Sequence, residues 1–122
     1  MAAQGLIRID ELTPSQNRLA RGLHNRFVYR NLRNRFQTWI MVGMVNGKIS
    51  KATGRRRLTI TRYVRSRRYL LDRGNFIGGC KPLLDAAIRQ GLILDDREEH
   101  LDDRYEQKVD ATPRVEVLVE DL

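Results

Sequence analysis

Apolar residues recur in this chain at two different periods, and the order in which those periods follow one another limits the folds open to it. From Leu6 to Leu12, apolar Ile7 and Ile9 alternate with Arg8 and Asp10, the two-residue period of a short strand. Thr13-Pro14-Ser15 ends it in a turn that leads to Asn17 and Arg18. From about Asn25 to Met44 the period changes: Val28, Leu32, Phe36, Trp39 and Ile40 recur at helical spacing, with Arg26, Arg30, Arg33 and Arg35 around them. This predicts an amphipathic helix with a basic outer face, its apolar stripe packed into the core. Asn46 to Arg56 holds two glycines and four cationic side chains without an apolar period, which reads as a mobile loop. Leu58, Ile60 and Val64 mark a strand to about Arg65.

A second helix is expected through Phe76, Cys80, Leu84, Ala87 and Ile88, with Pro82 near the start of its regular part and Gly91 as its stop. After a turn at Asp95-Asp96, Tyr105–Val109 and 114–120 read as strands joined through Ala111-Thr112-Pro113, with Val115, Val117 and Val119 on one face. The order is strand, helix, strand, helix, strand, strand. It predicts a mixed α/β domain of the α+β type, with two main helices covering at least one face of the sheet. A chain of 122 residues has room for one such domain over 1–122.

The charge is divided unevenly. Residues 1–73 hold 17 Lys and Arg against 3 Asp and Glu, whereas residues 74–122 hold 6 against 12. A basic lobe attracts a polyanion through counterion release, and an acidic segment beside it opposes that attraction unless its carboxylates hold cations. This combination points to a metal-dependent nuclease; a plain RNA- or DNA-binding protein shares the basic charge. The longest apolar stretch, Trp39 to Val45, is interrupted by Gly43 and too short to span a bilayer, so no membrane partner is expected. The N-terminus lacks the apolar region of a secretory signal, and the single Cys80 precludes an intrachain disulfide. Both fit a cytoplasmic setting, with Cys80 as a small packing residue.

The candidate chemistry lies between residues 67 and 96. Arg67-Arg68-Tyr69-Leu70-Leu71-Asp72-Arg73-Gly74-Asn75-Phe76 sets a carboxylate between a strand and a helix; Lys81-Pro82-Leu83-Leu84-Asp85 sits on that helix; Gly91-Leu92-Ile93-Leu94-Asp95-Asp96 follows its end. Carboxylates at such junctions can converge despite their separation in sequence. Hard divalent cations take such oxygen ligands, and phosphodiester hydrolysis uses the cation to activate water and neutralise developing charge.

Taken together, these segments resemble the RusA family of Holliday-junction resolvases, whose pattern is Asp-x-Asp-Asn, a helix with Lys-x-x-x-Asp, then Gly-x-(Ile/Leu)-x-Asp-Asp. Asp72, Asn75, Phe76, Lys81, Asp85, Gly91, Asp95 and Asp96 match in order and spacing, and Pro14-Ser15-Gln16-Asn17 resembles the family's Pro-Ser-x-Asn turn. The resemblance implies a Mg²⁺-dependent (alternatively Mn²⁺-dependent) endonuclease that cuts four-way DNA junctions as a homodimer and needs no small-molecule cofactor. It implies metal ligation by Asp72, Asp96 and Asp95, electrostatic help from Lys81, and support from Asn75 and Asp85. Gly74 departs from the family, standing where the second aspartate is expected. The phosphate contacts are expected from Asn17, Arg18, Lys48, Lys51, Arg55, Arg56, Arg57, Arg67 and Arg68.

Plainer readings stand beside these. Asp95-Asp96 is also the composition of a solvated turn, Asp85 is spaced to pair with Arg89, and Lys81 has the setting of an ordinary helix lysine. His24 and His100 lack companions at metal-ligand spacing and are expected at the surface.

Overall fold

The computed structural model describes residues 2–22 and 26–122. Strand β1 (Ala2–Ile9) is followed by helices α1 (Gln16–Gly22) and α2 (Arg26–Gly47), strand β2 (Arg56–Val64), a short 3₁₀ turn (Arg67–Tyr69), helices α3 (Arg73–Gly79) and α4 (Lys81–Gln90), and strands β3 (Leu101–Val109) and β4 (Arg114–Asp121). The four strands form one mixed sheet in the order β1-β4-β2-β3. Neighbours β1/β4 and β4/β2 run antiparallel, and β2/β3 run parallel. The parallel pair needs a crossover, which α3 and α4 supply. This is the α+β architecture expected from the alternation of periods. Among the described residues, no helix is long and apolar enough to cross a membrane.

Register explains the core. Ile7, Val117 and Ile60 are lateral neighbours across β1, β4 and β2, and the next row aligns Ile9, Val115 and Arg62. These side chains point to the helix-covered face, where Phe36 and Ile40 of α2 and Leu83, Ala86 and Ala87 of α4 complete one buried cluster. Each Leu or Ile sunk into such a cluster contributes roughly 1.5–3 kcal/mol relative to exposure.

Several expectations change in three dimensions. Leu32, Phe36 and Ile40 are buried as expected, but Val28 is 50% exposed and Trp39 only partly covered. Val28 lines an open cavity beside Arg62 and Val64 of β2 instead of packing into the core. Gln16–Gly22, read as a continuation of the Pro14 turn, is a helix; with Leu19 as its only large apolar residue, seven residues give too short a pattern to show a period. Its start is capped by Ser15, whose Oγ accepts from Arg18 N–H at 3.1 Å. The expected second helix is two helices that meet at Cys80. The ring of Pro82 clashes with the carbonyl four residues earlier and offers no N–H, so a continuous helix through 78–82 is barred. Gly91 does end α4, in the left-handed region at φ 81°. Strand β3 starts four residues before the expected Tyr105, because Asp102, Asp103 and Arg104 on a sheet edge conceal the strand in charge. Finally, α2 extends to Gly47, and the expected mobile loop is reduced to the connection between Lys48 and Arg55, with Ile49 and Ala52 buried in it.

Candidate nucleic-acid interface

The turn at Pro14-Ser15-Gln16-Asn17 lies across α3, and glycines make the approach possible. A Cβ at Gly79 would stand 1.8 Å from the Pro14 carbonyl oxygen, and one at Gly78 2.5 Å from the Gln16 side chain. At Gly79 only hydrogen lets the backbone of the turn touch the helix, whereas at Gly78 the neighbour is a flexible side chain. Seated in this way, Asn17 donates its N–H to Asn75 Oδ1 at 3.1 Å. Asn75 in turn donates its side-chain amide to Asp72 Oδ1 at 2.6 Å and its backbone N–H to Asp72 Oδ2 at 3.2 Å. Asp72 is thus the N-cap of α3. These bonds, the Asn75 side-chain amide foremost, hold its carboxyl below the usual range. The fold therefore joins Asn17, Asn75 and Asp72, residues from two separate stretches of the sequence, in one exposed hydrogen-bonded chain.

Lys81 and Asp85 stand on the neighbouring helix α4, 3.6 Å apart at their charged groups. Asp85 pairs with Lys81 and accepts from the Tyr29 hydroxyl of α2; the sequence spacing had suggested Arg89 instead. Burial, reinforced by the Asp85 carboxylate, pushes the Tyr29 hydroxyl well above its ordinary pKa, so it stays a hydrogen-bond donor. The two residues line a groove of about 600 Å³ between α1, α2 and α4, together with Arg26, Arg30 and Arg33. Four cations and one carboxylate give that groove a positive potential.

Asp95 and Asp96 lie in the segment between α4 and β3. Asp95 Oδ1 accepts the Asp96 N–H at 2.8 Å and its Oδ2 pairs with Arg97 at 2.7 Å; these bonds, the Asp96 N–H foremost, lower its pKa. Asp72 is anchored differently: its neighbour Leu71 exchanges backbone hydrogen bonds with the Gln107 side chain, toward the end of β3. Among the described residues, no three or more His, Cys, Asp and Glu side chains gather as a metal-binding group. The expected set of Asp72, Asp95 and Asp96 is therefore not brought together as a triad, and Gly74 adds no carboxylate beside it. His100 is half-buried beside Glu99, and His24 lies outside the described residues.

The expected phosphate contacts divide. Arg18, Lys48, Lys51, Arg55, Arg67 and Arg68 are exposed. Arg55 Nε donates to the Glu98 carbonyl at 2.9 Å, and Arg68 stacks over the Tyr69 ring at 5.3 Å. Arg57 is half-buried on β2 and pairs with Asp102 of β3 at 2.8 Å. Arg56 requires correction. It is 2% exposed, its Nε bonded to Asp121 at 2.8 Å and an Nη to the Leu92 carbonyl at 2.9 Å, so it cannot reach a phosphate. It begins β2 in phase with Leu58 and Ile60, and the pleat turns it inward. Arg62 shares that phase and is also buried, a residue the sequence reading passed over. The signal was there: in an alternating strand, Arg56 and Arg62 occupy the apolar phase.

Compared with known proteins, the chain matches no family model and no curated relative.

Proposed function

We propose that this protein binds branched DNA as a homodimer, through the arginine-rich side formed by α1, α2 and the turn after β2. The observation that carries this reading is the chain Asn17–Asn75–Asp72, which joins the two separate sequence patterns that resemble the RusA family. The uneven charge supports it: the lobe that holds 17 of the 23 Lys and Arg residues carries few carboxylates, and such a lobe follows phosphates without reading bases. Two-fold symmetry would match a four-way junction to two identical sites.

Hydrolysis is the further activity that the resemblance implies, by way of Mg²⁺ or Mn²⁺ at Asp72, Asp95 and Asp96 with Lys81 nearby. Among the described residues the carboxylates do not gather into a set for a resident divalent ion: no three acidic groups converge, and Asp72 and Asp95 are held by different partners, Asn75 and Arg97. That favours a second reading, a RusA-like DNA-binding protein impaired in cutting, with Gly74 as its mark.

One gel assay separates the readings. A labelled four-way junction in EDTA is expected to be retarded, with log affinity falling by about 0.9 per phosphate contact as log salt rises. No retardation at low salt refutes the proposal. Mg²⁺-dependent cutting that Asp72→Asn abolishes would establish the nuclease; an inactive wild type beside a cutting Gly74→Asp variant would establish the binder. Position 74 accepts the change, since its φ is not positive and an added Cβ meets only Asp72 Oδ2 at 3.6 Å.

A further inference from the structure

Arg62 occupies an unusual place for a guanidinium. It sits on the helix-covered face of the central strand β2, 7% exposed, with Val115 as its β4 neighbour. Its Nε donates to the Thr13 carbonyl at 3.1 Å and one Nη to the Tyr69 carbonyl at 3.3 Å. No carboxylate among the described residues lies within ion-pair distance, and its other Nη makes no hydrogen bond to a described residue. Arg56, on the same strand and face, shows the ordinary solution, with Asp121 at 2.8 Å. Burial lowers the pKa of Arg62, opposed by the neighbouring Cys80 and by no carboxylate, yet an arginine keeps its charge. A buried, uncompensated cation is costly to the fold, and an anion arriving from outside relieves that cost.

A route for such an anion exists. Arg62 lines a cavity of about 820 Å³, bounded by the Thr13-Pro14-Ser15 turn, α1, the first turns of α2 and the segment after β2. Arg18, Arg65 and Arg68 stand around it as exposed cations. Its single carboxylate among the described residues, Glu11, is taken by Arg35 at 2.7 Å and by the Trp39 indole N–H at 3.4 Å. The remaining wall is largely apolar, with Leu19, Val28 and Leu70 among its residues. A free inorganic anion would leave that wall wet, whereas a ligand with both an anionic group and a flat apolar body uses both halves. The volume lies within the range of pockets that enclose small organic ligands, roughly 300–1,000 Å³.

We propose that this cavity holds one unpaired nucleotide of the DNA, its phosphate against Arg62 and the rim arginines and its base against the apolar wall. The inference rests on the DNA-binding reading for the source of the nucleotide, while the pocket stands on Arg62 and its surroundings. Unpaired nucleotides occur where branched DNA opens, and pulling a base from the stack takes only a few kcal/mol at such points.

The test uses the full chain and three probes: thymidine 5′-monophosphate, thymidine and inorganic phosphate, titrated by heteronuclear NMR. The monophosphate is expected to bind at least tenfold more tightly than either fragment, shifting amides of residues 12–19 and 62–71. Val28→Trp, at a half-exposed position on the wall, and Arg68→Ala, at the rim, keep the test open if Arg62→Gln fails to fold. Val28→Trp should weaken the monophosphate at least tenfold. Equal binding of phosphate and monophosphate, or binding indifferent to Val28→Trp, overturns the proposal even if the junction still binds. Monophosphate binding that Val28→Trp abolishes, in a protein that binds no junction, supports the pocket and removes the DNA reading instead.

Discussion

Replacing Gly79 by alanine tests the seating of the Pro14 turn on α3, on which the Asn17–Asn75–Asp72 chain depends. The new Cβ would lie 1.8 Å from the Pro14 carbonyl oxygen, 2.9 Å from its carbon and 3.2 Å from the Ser15 carbonyl carbon. To reach even 3.0 Å the oxygen must retreat by about 1.2 Å, and because it belongs to the backbone the whole turn moves with it. Overpacking of this kind costs about 1–3 kcal/mol. Losing the Asn17 N–H to Asn75 bond adds about 1 kcal/mol. Alanine's better helix propensity returns less than about 1 kcal/mol at the last residue of a helix. The net expectation is a loss of about 2–3 kcal/mol in urea unfolding at unchanged m-value. Gly78→Ala is the control: its Cβ meets only the flexible Gln16 side chain, at 2.5 Å, and a rotamer change clears it. The reasoning is refuted if Gly79→Ala stays within about 0.5 kcal/mol of the wild type, the ordinary range of inert substitutions. An equal loss in Gly78→Ala refutes it too.

Two further outcomes follow from the buried and paired charges. Arg56→Met removes the bonds to Asp121 and the Leu92 carbonyl but leaves Asp121, 42% exposed, in contact with water. The expected loss is therefore near or below the low end of broken buried pairs, about 2–3 kcal/mol. DNA affinity per folded molecule should not change; a stable Arg56→Met protein that binds DNA tenfold more weakly would restore Arg56 as a phosphate contact. Asp102 is held down to about 2 by hydrogen bonds from Arg104 and then Arg57, which lies beside it across β2 and β3. A depressed carboxyl contributes stability that is complete above its unfolded value of about 3.9 and fades as pH falls toward 2. Melting temperatures between pH 5 and 2 should fall less steeply in Asp102→Asn than in wild type, and a carboxyl carbon titration of Asp102 centred near pH 4 would contradict the pairing.

The two hydrophobic periods determined the fold class, because burial on a helix or a strand demands its own spacing of apolar residues. Gly91 as the end of α4 was equally legible, since only a left-handed residue closes that turn cheaply. Short or charged elements were not: α1 has too few apolar residues to show a period, and β3 hides behind Asp102, Asp103 and Arg104 because an edge strand needs little apolar surface. The candidate site was legible as residue types in a pattern, not as an arrangement. Local sequence does not encode that Gly79 admits the Pro14 turn, that Tyr29 takes Asp85, or that Asp72 and Asp95 are committed to different partners. The division among the arginines was likewise decided by tertiary structure. Net charge counts every arginine alike, but the pleat of β2 turns Arg56 and Arg62 inward, giving one a carboxylate and leaving the other to face a cavity.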